Sequence, residues 1–160
     1  MYDSIIISNY FVNKSIETGV ELTPMKLLKL VYLSHGWFMG YNQVPLINQA
    51  VEAWKYGPVI DKVYQSFKKY GKSQITSFVD IDADGKILTR EYNPDPQIIA
   101  FLNAIWENYK KYDGLQLSTL THKENSPWDR AIKEFGVNSV IPNTYIRDYY
   151  KSKIPTKVNA

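Results

Sequence analysis

The sequence contains no cysteine among its 160 residues. Disulfide bonds and thiolate metal sites are therefore excluded, and the composition is compatible with a reducing compartment. No apolar run approaches the ~20 residues that a membrane-spanning helix requires. Residues 1–7 also lack the basic region and the long apolar stretch of a secretory signal. Together these absences predict a cytoplasmic protein that does not associate with membranes.

A strong charge of either sign is lacking as well, since 19 basic and 16 acidic residues give a formal net charge of +3. An excess this small does not favour a nucleic acid partner. Small basic clusters do lie beside tyrosines, so nucleic acid binding stays an alternative. These clusters are Lys68, Lys69 and Lys72; Lys110 and Lys111; and Arg147, Lys151 and Lys153.

Sequence patterns of common catalytic sites are also missing. There is no serine-nucleophile elbow, phosphate-binding glycine loop or Walker sequence. The two histidines, His35 and His122, are far apart and lack the spacing of a metal-binding helix. His35 lies within an apolar stretch, which is typical of a hydrogen-bonded interior histidine. The sequence predicts neither an enzyme nor a cofactor.

One segment, residues 80–91, fits the pattern of a calcium-binding loop, with Asp80, Asp82, Asp84 and Glu91 as ligands. Such a loop needs a helix on each side. Here residues 75–81 and 87–92 are instead predicted to be two strands around an Asp-Gly turn. We therefore interpret the segment as an acidic β-hairpin and keep calcium binding only as an alternative.

Capping residues divide the chain into helices. Thr23 followed by Pro24, for example, is a typical N-cap and first helical residue. Helices are predicted from Asp3 to about Glu17, Thr23 to about Tyr41, Gly57 to Gly71, Pro94 to about Tyr112, Leu115 to Thr121, Ser126 to Gly136, and after Asn143. The second helix is apolar on nearly all sides, which is typical of a central, buried helix. Its Gly36 and Gly40 share one face, so another element is expected to pack closely there.

These elements, with a short strand predicted at 51–56, give the expected fold class. We expect a mainly α (α+β) fold: a compact helical domain of about six helices with a small β-hairpin or sheet. The domain is predicted to span residues 1–152, and residues 153–160 are expected to form a frayed tail.

Several unusual strings occur in a fixed order along the chain. They are Leu22-Thr23-Pro24-Met25-Lys26-Leu27, Gly36-Trp37, Glu52-Ala53-Trp54-Lys55-Tyr56-Gly57-Pro58, Thr121-His122 and Pro127-Trp128. This ordered set resembles the SocA-like, or Panacea, domain family of phage-associated proteins. The resemblance implies an antitoxin that neutralises a protein toxin by binding it directly.

The residues shared with the family are expected to support the scaffold. They are Lys26, Trp37, Glu52, Trp54, Tyr56, Gly57, Pro58, Thr121, His122, Pro127 and Trp128. Glu52 is a candidate for a buried ion pair with Lys26 or Lys29. We expect structural roles for His122 and Trp128, because the sequence offers no nucleophile or substrate pocket for a general base.

Tyrosines and acidic residues are the predicted partner contacts. Tyr145, Tyr149 and Tyr150 on the last helix, and Asp82 and Asp84 on the hairpin, are the candidates, because aromatic side chains often anchor protein interfaces. The resemblance leaves two mechanisms open, sequestration of the toxin and its delivery to a Clp-type protease by an adaptor. A phage-associated nucleic-acid-binding protein is the alternative from another class.

Overall fold

The computed structural model describes residues 1–79 and 94–156. Seven α-helices, one short 3₁₀ helix and a three-stranded antiparallel sheet lie within these ranges, which confirms the mainly α, α+β prediction. The helices are α1 Ser4–Thr18, α2 Pro24–Asn42, α3 Asp61–Phe67, α4 Pro96–Tyr109, α5 Gly114–Thr121, α6 Pro127–Phe135 and α7 Asn143–Lys153, with the 3₁₀ turn at Lys68–Tyr70. The strands are β1 Val51–Trp54, β2 Gly57–Val59 and β3 Val140–Ile141.

Local capping accounts for most helix ends. The Asp3 carboxylate accepts a hydrogen bond from the Ile5 amide, and Gly19 ends α1 in the left-handed conformation. The Thr23 side chain caps α2 ahead of Pro24, and the Ser126 hydroxyl caps α6. These boundaries agree with the sequence predictions because each depends only on neighbouring residues.

Helix α2 is the centre of the molecule. It packs against α1, α4, α5 and α7, and most of its residues are buried, including Leu27, Leu30 and Val31. Each such side chain contributes about 1.5–3 kcal/mol of hydrophobic stabilisation. The prediction of a central, buried helix is thus confirmed.

Helix α7 packs on the glycine face of α2. A methyl group added at Gly40 would lie 2.9 Å from the backbone carbonyl carbon of Tyr150, and one added at Gly36 would overlap the ring of Tyr150. Only glycine permits this separation. The predicted close approach at these two glycines is therefore confirmed, with α7 as the approaching element.

The sheet has the order β2-β1-β3, with Ala53 opposite Pro58 and Val51 opposite Ile141. The predicted helix start at Gly57 is wrong, because Gly57–Val59 forms strand β2 and α3 begins only at Asp61. Proline has no amide hydrogen to donate, and β2 is an edge strand where this loss is tolerated.

The predicted first hairpin strand is also wrong in its described part, since residues 75–79 do not form a strand. They are instead tied to α1 and to the loop that follows it: the Ile75 amide donates to the Leu22 carbonyl at 2.9 Å, and the Val79 amide donates to Asn9 Oδ1 at 3.0 Å. The rest of the hairpin, including the possible calcium ligands and the proposed contacts Asp82 and Asp84, lies outside the described residues. The same holds for residues 157–160.

Within residues 1–79 and 94–156, no helix combines the length and apolarity needed to cross a membrane.

Candidate functional site

The shared strings meet around the turn between β1 and β2. Three side chains from distant helices donate hydrogen bonds to backbone carbonyls of this turn. Trp128 Nε1 donates to Trp54 at 2.6 Å, Ser118 Oγ to Tyr56 at 2.5 Å, and Lys29 Nζ to Pro58 at 3.0 Å. We call this region the hairpin junction and define it as residues 54–58 with Lys29, Ser118, Thr121, His122 and Trp128.

Gly57 makes the hairpin junction possible. Its φ of +116° is one that L side chains rarely adopt. A methyl group on Gly57 would lie 2.8 Å from Lys29 Nζ and 3.4 Å from Thr121 Oγ1. The turn therefore needs glycine both for its backbone conformation and for space.

Lys29 is the buried charge-bearing group of the junction. Its side chain is 1% exposed, and burial lowers the pKa of its ammonium to about 7. The proposed ion pair with Glu52 is wrong for both lysines. Lys29 donates to the Pro58 carbonyl and Lys26 Nζ donates to the Lys110 carbonyl at 2.6 Å, and no ion pair in the described residues involves Glu52.

His122 packs against Trp128, with ring centres 5.3 Å apart. Its Nδ1 is 3.4 Å from Ser118 Oγ. The Ser118 hydroxyl is buried and already donates its hydrogen to the Tyr56 carbonyl. This pair therefore lacks the arrangement of a serine nucleophile with its base, and its geometry is that of a packing contact.

His35 is a neutral interior histidine, as predicted. Its Nδ1 accepts a hydrogen bond from the Ile47 amide at 3.5 Å, and its Nε2 is 3.2 Å from Asn143 Oδ1. Burial lowers the pKa of the imidazole to about 4. The neutral ring links α2 to the loop before β1 and to the start of α7.

Tyr150 does not lie where a partner contact was expected. Its side chain is 4% exposed and packs edge-on against Trp37, with ring centres 5.0 Å apart. Replacing a buried aromatic ring by alanine costs about 3–5 kcal/mol, so loss of this ring would unfold the protein rather than weaken a surface contact. Tyr150 is therefore a core residue, which corrects the prediction.

The other two tyrosines of α7 remain partly exposed. The Tyr145 hydroxyl donates to Glu134 Oε2 at 2.5 Å, and the Arg130 guanidinium lies 3.6 Å from the centre of the Tyr145 ring. Lys153 Nζ lies 4.6 Å from the ring centre of Tyr149. Only Tyr145 is held by a network of side chains on a neighbouring helix.

An open groove of about 1040 Å³ lies between α2, α4 and α5. We call it the aromatic groove. Its apolar lining includes Trp37, Tyr41, Phe101, Tyr109, Tyr112 and Leu120. Lys111 and Lys123 are the charged residues of the lining. The groove combines aromatic anchors with positive charge, a composition suited to binding another molecule.

Two contacts fix the walls of the aromatic groove. Trp37 Nε1 donates to the Tyr109 hydroxyl at 2.8 Å, which joins α2 to α4. Phe101 packs edge-on against Phe38 of α2, with ring centres 5.7 Å apart. Burial raises the pKa of Tyr109 above its ordinary value. The groove is therefore preformed.

The sequence patterns did not predict the aromatic groove, although Trp37 was expected to support the scaffold. The sequence of α4 contains one indication of this groove. Leu102, Ile105 and Trp106 are its buried residues, yet Phe101 and Tyr109 add aromatic surface beside that face. A helix with more aromatic surface than its buried face needs is a candidate for an interface.

A metal site is not evident in the part of the chain that the structure describes, since no three histidine, aspartate or glutamate side chains cluster there.

The hairpin junction contributes packing and hydrogen bonds, whereas the aromatic groove contributes an accessible binding surface.

Comparison with known proteins agrees with the shared strings. The family model of the antitoxin SocA-like, Panacea domain matches residues 27–129. Antitoxin SocA of Caulobacter vibrioides (strain NA1000 / CB15N) is 27% identical over 139 residues, which cover 85% of this chain and 73% of that relative. No solved structure matches the chain. These matches support an antitoxin role with a toxin as partner, and the chain belongs to the antitoxin SocA-like, Panacea domain family.

Proposed function

We propose that the protein is a non-enzymatic antitoxin that neutralises a protein toxin by direct binding. Membership of the SocA-like family is the observation that carries this proposal. The aromatic groove supports it, because a preformed aromatic surface on a helical scaffold is a common basis of protein recognition. The hairpin junction is the scaffold in this proposal.

The first experiment is isolation of the partner followed by a neutralisation assay. The tagged protein is purified from its native host, and each stoichiometric partner is then expressed in a naive host, alone and together with the protein. A partner that arrests growth alone and is harmless in the pair would support the proposal. The control is coexpression with a Gly57→Val variant, whose scaffold is disrupted. Absence of any such partner would contradict an antitoxin role.

Delivery of the toxin to a Clp-type protease is the alternative mechanism, and the level of the toxin distinguishes the two. Sequestration leaves the toxin intact in a stable complex. Delivery shortens the half-life of the toxin only in cells that contain both the antitoxin and the protease. A pulse-chase measurement in protease-positive and protease-deficient hosts separates the mechanisms. Equal half-lives in both hosts would exclude delivery.

Tyr145 and Tyr149 stay proposed contacts outside the aromatic groove, and Asp82 and Asp84 stay proposed contacts that lie beyond the described residues. The proposal does not favour nucleic acid, because part of the positive charge near the tyrosines is already paired. Lys110 forms an ion pair with Glu107 at 2.7 Å, and Arg147 forms one with Asp148 at 2.9 Å. Such pairs leave fewer free cations for phosphate contacts.

A further inference from the structure

We propose that the aromatic groove binds an amphipathic, acidic helix of the toxin. The apolar side chains of this helix enter the groove, and its flanking Asp or Glu side chains pair with Lys111 and Lys123. The inference rests on the proposed function in that the partner is a toxin. It goes further by naming the surface and the chemistry of the segment that this surface recognises.

The lining favours a helix over an extended strand. All lining residues belong to α2, α4 and α5 or to the short connections that follow α4 and α5. No strand edge of the described sheet faces the groove, so an extended segment would find no backbone partners there. A helix satisfies its own backbone and offers only side chains. The groove must therefore recognise its occupant through side chains, as helix-binding grooves do.

The apolar part of the groove has the residues that usually anchor such a helix. Tyr41 is 58% exposed at one end, and Trp37 and Tyr109 form a hydrogen-bonded pair inside. Trp and Tyr are the residues most enriched in interface hot spots. Burying these rings under the apolar face of a helix removes them from water, which provides the main driving force.

Charge complementarity predicts the sign of the charge on the partner segment. Within residues 1–79 and 94–156, the groove lining contains Lys111 and Lys123 but no carboxylate. Neither lysine belongs to an ion pair in the described residues, and the Lys111 ammonium lies only over the ring of Tyr112, at 5.2 Å. The nearby Glu107 is already paired with Lys110. Two free cations beside an aromatic surface suit a segment with carboxylates at its ends.

Ala104 is where the groove can be blocked. It is an exposed small residue of α4 that lines the groove. An Ala104→Glu substitution adds both bulk and negative charge inside the groove. The neighbouring Asn103 is also exposed but is not part of the lining. Asn103→Glu therefore adds the same charge one position away and serves as the matched control.

The first test uses a displayed library of helical peptides, selected on the full-length protein alone. We expect enrichment of peptides with apolar residues at i, i+3 and i+4 and with Asp or Glu on the flanks. Their affinity should fall about tenfold or more in Ala104→Glu and stay unchanged in Asn103→Glu. Enrichment of basic peptides, equal binding to Ala104→Glu, or no enrichment at all would overturn the proposal.

The second test reverses the charge of Lys111 and Lys123, which form the charged rim of the groove. The double variant Lys111→Glu/Lys123→Glu should slow peptide association about tenfold and reverse its salt dependence, because rim charges act mainly on the association rate and the reversed charges repel an acidic peptide. Lys68→Glu/Lys72→Glu changes the net charge equally outside the groove and should leave the association rate unchanged. An equal loss in both double variants would show a general charge effect and overturn the assignment.

These tests separate the inference from the proposed function. If a neutralised toxin is found but its affinity is equal for the wild type, Ala104→Glu and Asn103→Glu, the antitoxin role stands and the groove assignment fails. The peptide selection, in turn, tests the groove even if no toxin is recovered. A labelled oligothymidylate that binds in the groove, lost in Ala104→Glu while no peptide is enriched, would assign the groove to single-stranded nucleic acid instead and overturn the proposal.

Discussion

The hairpin junction and the aromatic groove use the same residue types for opposite purposes. Each has tryptophan, tyrosine and lysine. In the junction, Trp128 and Lys29 donate hydrogen bonds to backbone carbonyls at 2.6 and 3.0 Å, and Lys29 is withdrawn from solvent. In the groove, Tyr41 is exposed and Lys111 forms no ion pair within the described residues.

This difference between the hairpin junction and the aromatic groove shows which kind of residue the shared strings of this family contain. Trp54, Gly57 and Trp128 belong to the junction, whereas of the groove aromatics only Trp37 falls within a shared string. The strings thus identify the residues that set the fold, and they say little about the residues that a partner would touch. A family match can therefore be secure while the toxin stays unidentified.

The largest loss of stability should come from a glycine substitution at the hairpin junction. Gly57→Val combines an unfavourable φ with contacts to Lys29 and Thr121, and it should lower the free energy of unfolding by about 3–5 kcal/mol. Gly71→Val is the matched control, because Gly71 also has a positive φ of 59° but open space around it. That variant should lose about 1–2 kcal/mol, from backbone strain alone. Equal losses in urea denaturation would contradict the steric argument.

The next effect is a pH dependence that the buried Lys29 mainly produces, with a smaller contribution from Lys26, whose pKa is also lowered by burial. The folded-state pKa of Lys29 is about 7, below its unfolded value, so the unfolded chain binds more protons between the two values. The free energy of unfolding should therefore rise with pH from about 7 towards 9, by about 1 kcal/mol per pH unit, and fall as the pH is lowered through this range.

The Lys29→Met variant isolates this contribution, because methionine fills similar space without a charge. Its stability should be nearly flat over the same pH range and should match or exceed the wild type near pH 7. Urea denaturation at several pH values measures both proteins. An unchanged slope in the variant would mean that another group titrates.

A tryptophan pair compares one hydrogen bond in each region. Trp128→Phe removes the donor to the Trp54 carbonyl and should cost about 1–2 kcal/mol. Trp37→Phe removes the donor to Tyr109 at the open groove, where water can replace it, and should cost less than about 1 kcal/mol. Thermal unfolding of both variants checks the order. The reverse order would show that the groove is the more tightly packed region.

The smallest change in stability should come from the rim of the groove. Tyr41→Ala removes an exposed ring and should alter the free energy of unfolding by less than about 0.5 kcal/mol. If the groove binds the toxin, the same variant should weaken binding about tenfold. Calorimetric titration against the recovered toxin, together with urea denaturation, measures both quantities. A large loss of stability would mean that Tyr41 supports the scaffold instead.

Sequence reasoning succeeded where structure depends on near neighbours. The helix starts at Thr23-Pro24 and Ser126-Pro127 follow from capping, which needs only a few adjacent residues. The Gly57-Pro58 pair was misread because the same dipeptide can begin a helix or lie in an edge strand. The choice depends on pairing with β1 and on Lys29 and Thr121, which are far away in the sequence.

The sequence likewise could not predict which individual aromatic side chains are exposed. Tyr149 and Tyr150 are adjacent and chemically identical, yet Tyr150 is buried because Gly36 and Gly40 leave room for it on α2. The aromatic groove arises from three helices, of which only α4, with the extra aromatic residues Phe101 and Tyr109, departs from an ordinary core face. Such a surface forms only when the three helices pack together, because the sequence of a single helix does not specify the space between them.

The position of Trp37 gives the protein an intrinsic optical reporter. One side of the indole packs on the buried ring of Tyr150, and the residue also lines the open groove. An occupant would displace water from the indole, so its fluorescence emission should move to shorter wavelength. The hydrogen bond to Tyr109 fixes the ring, so such a shift would report the local environment rather than a change of rotamer. Occupancy of the groove can thus be followed in the unlabelled protein.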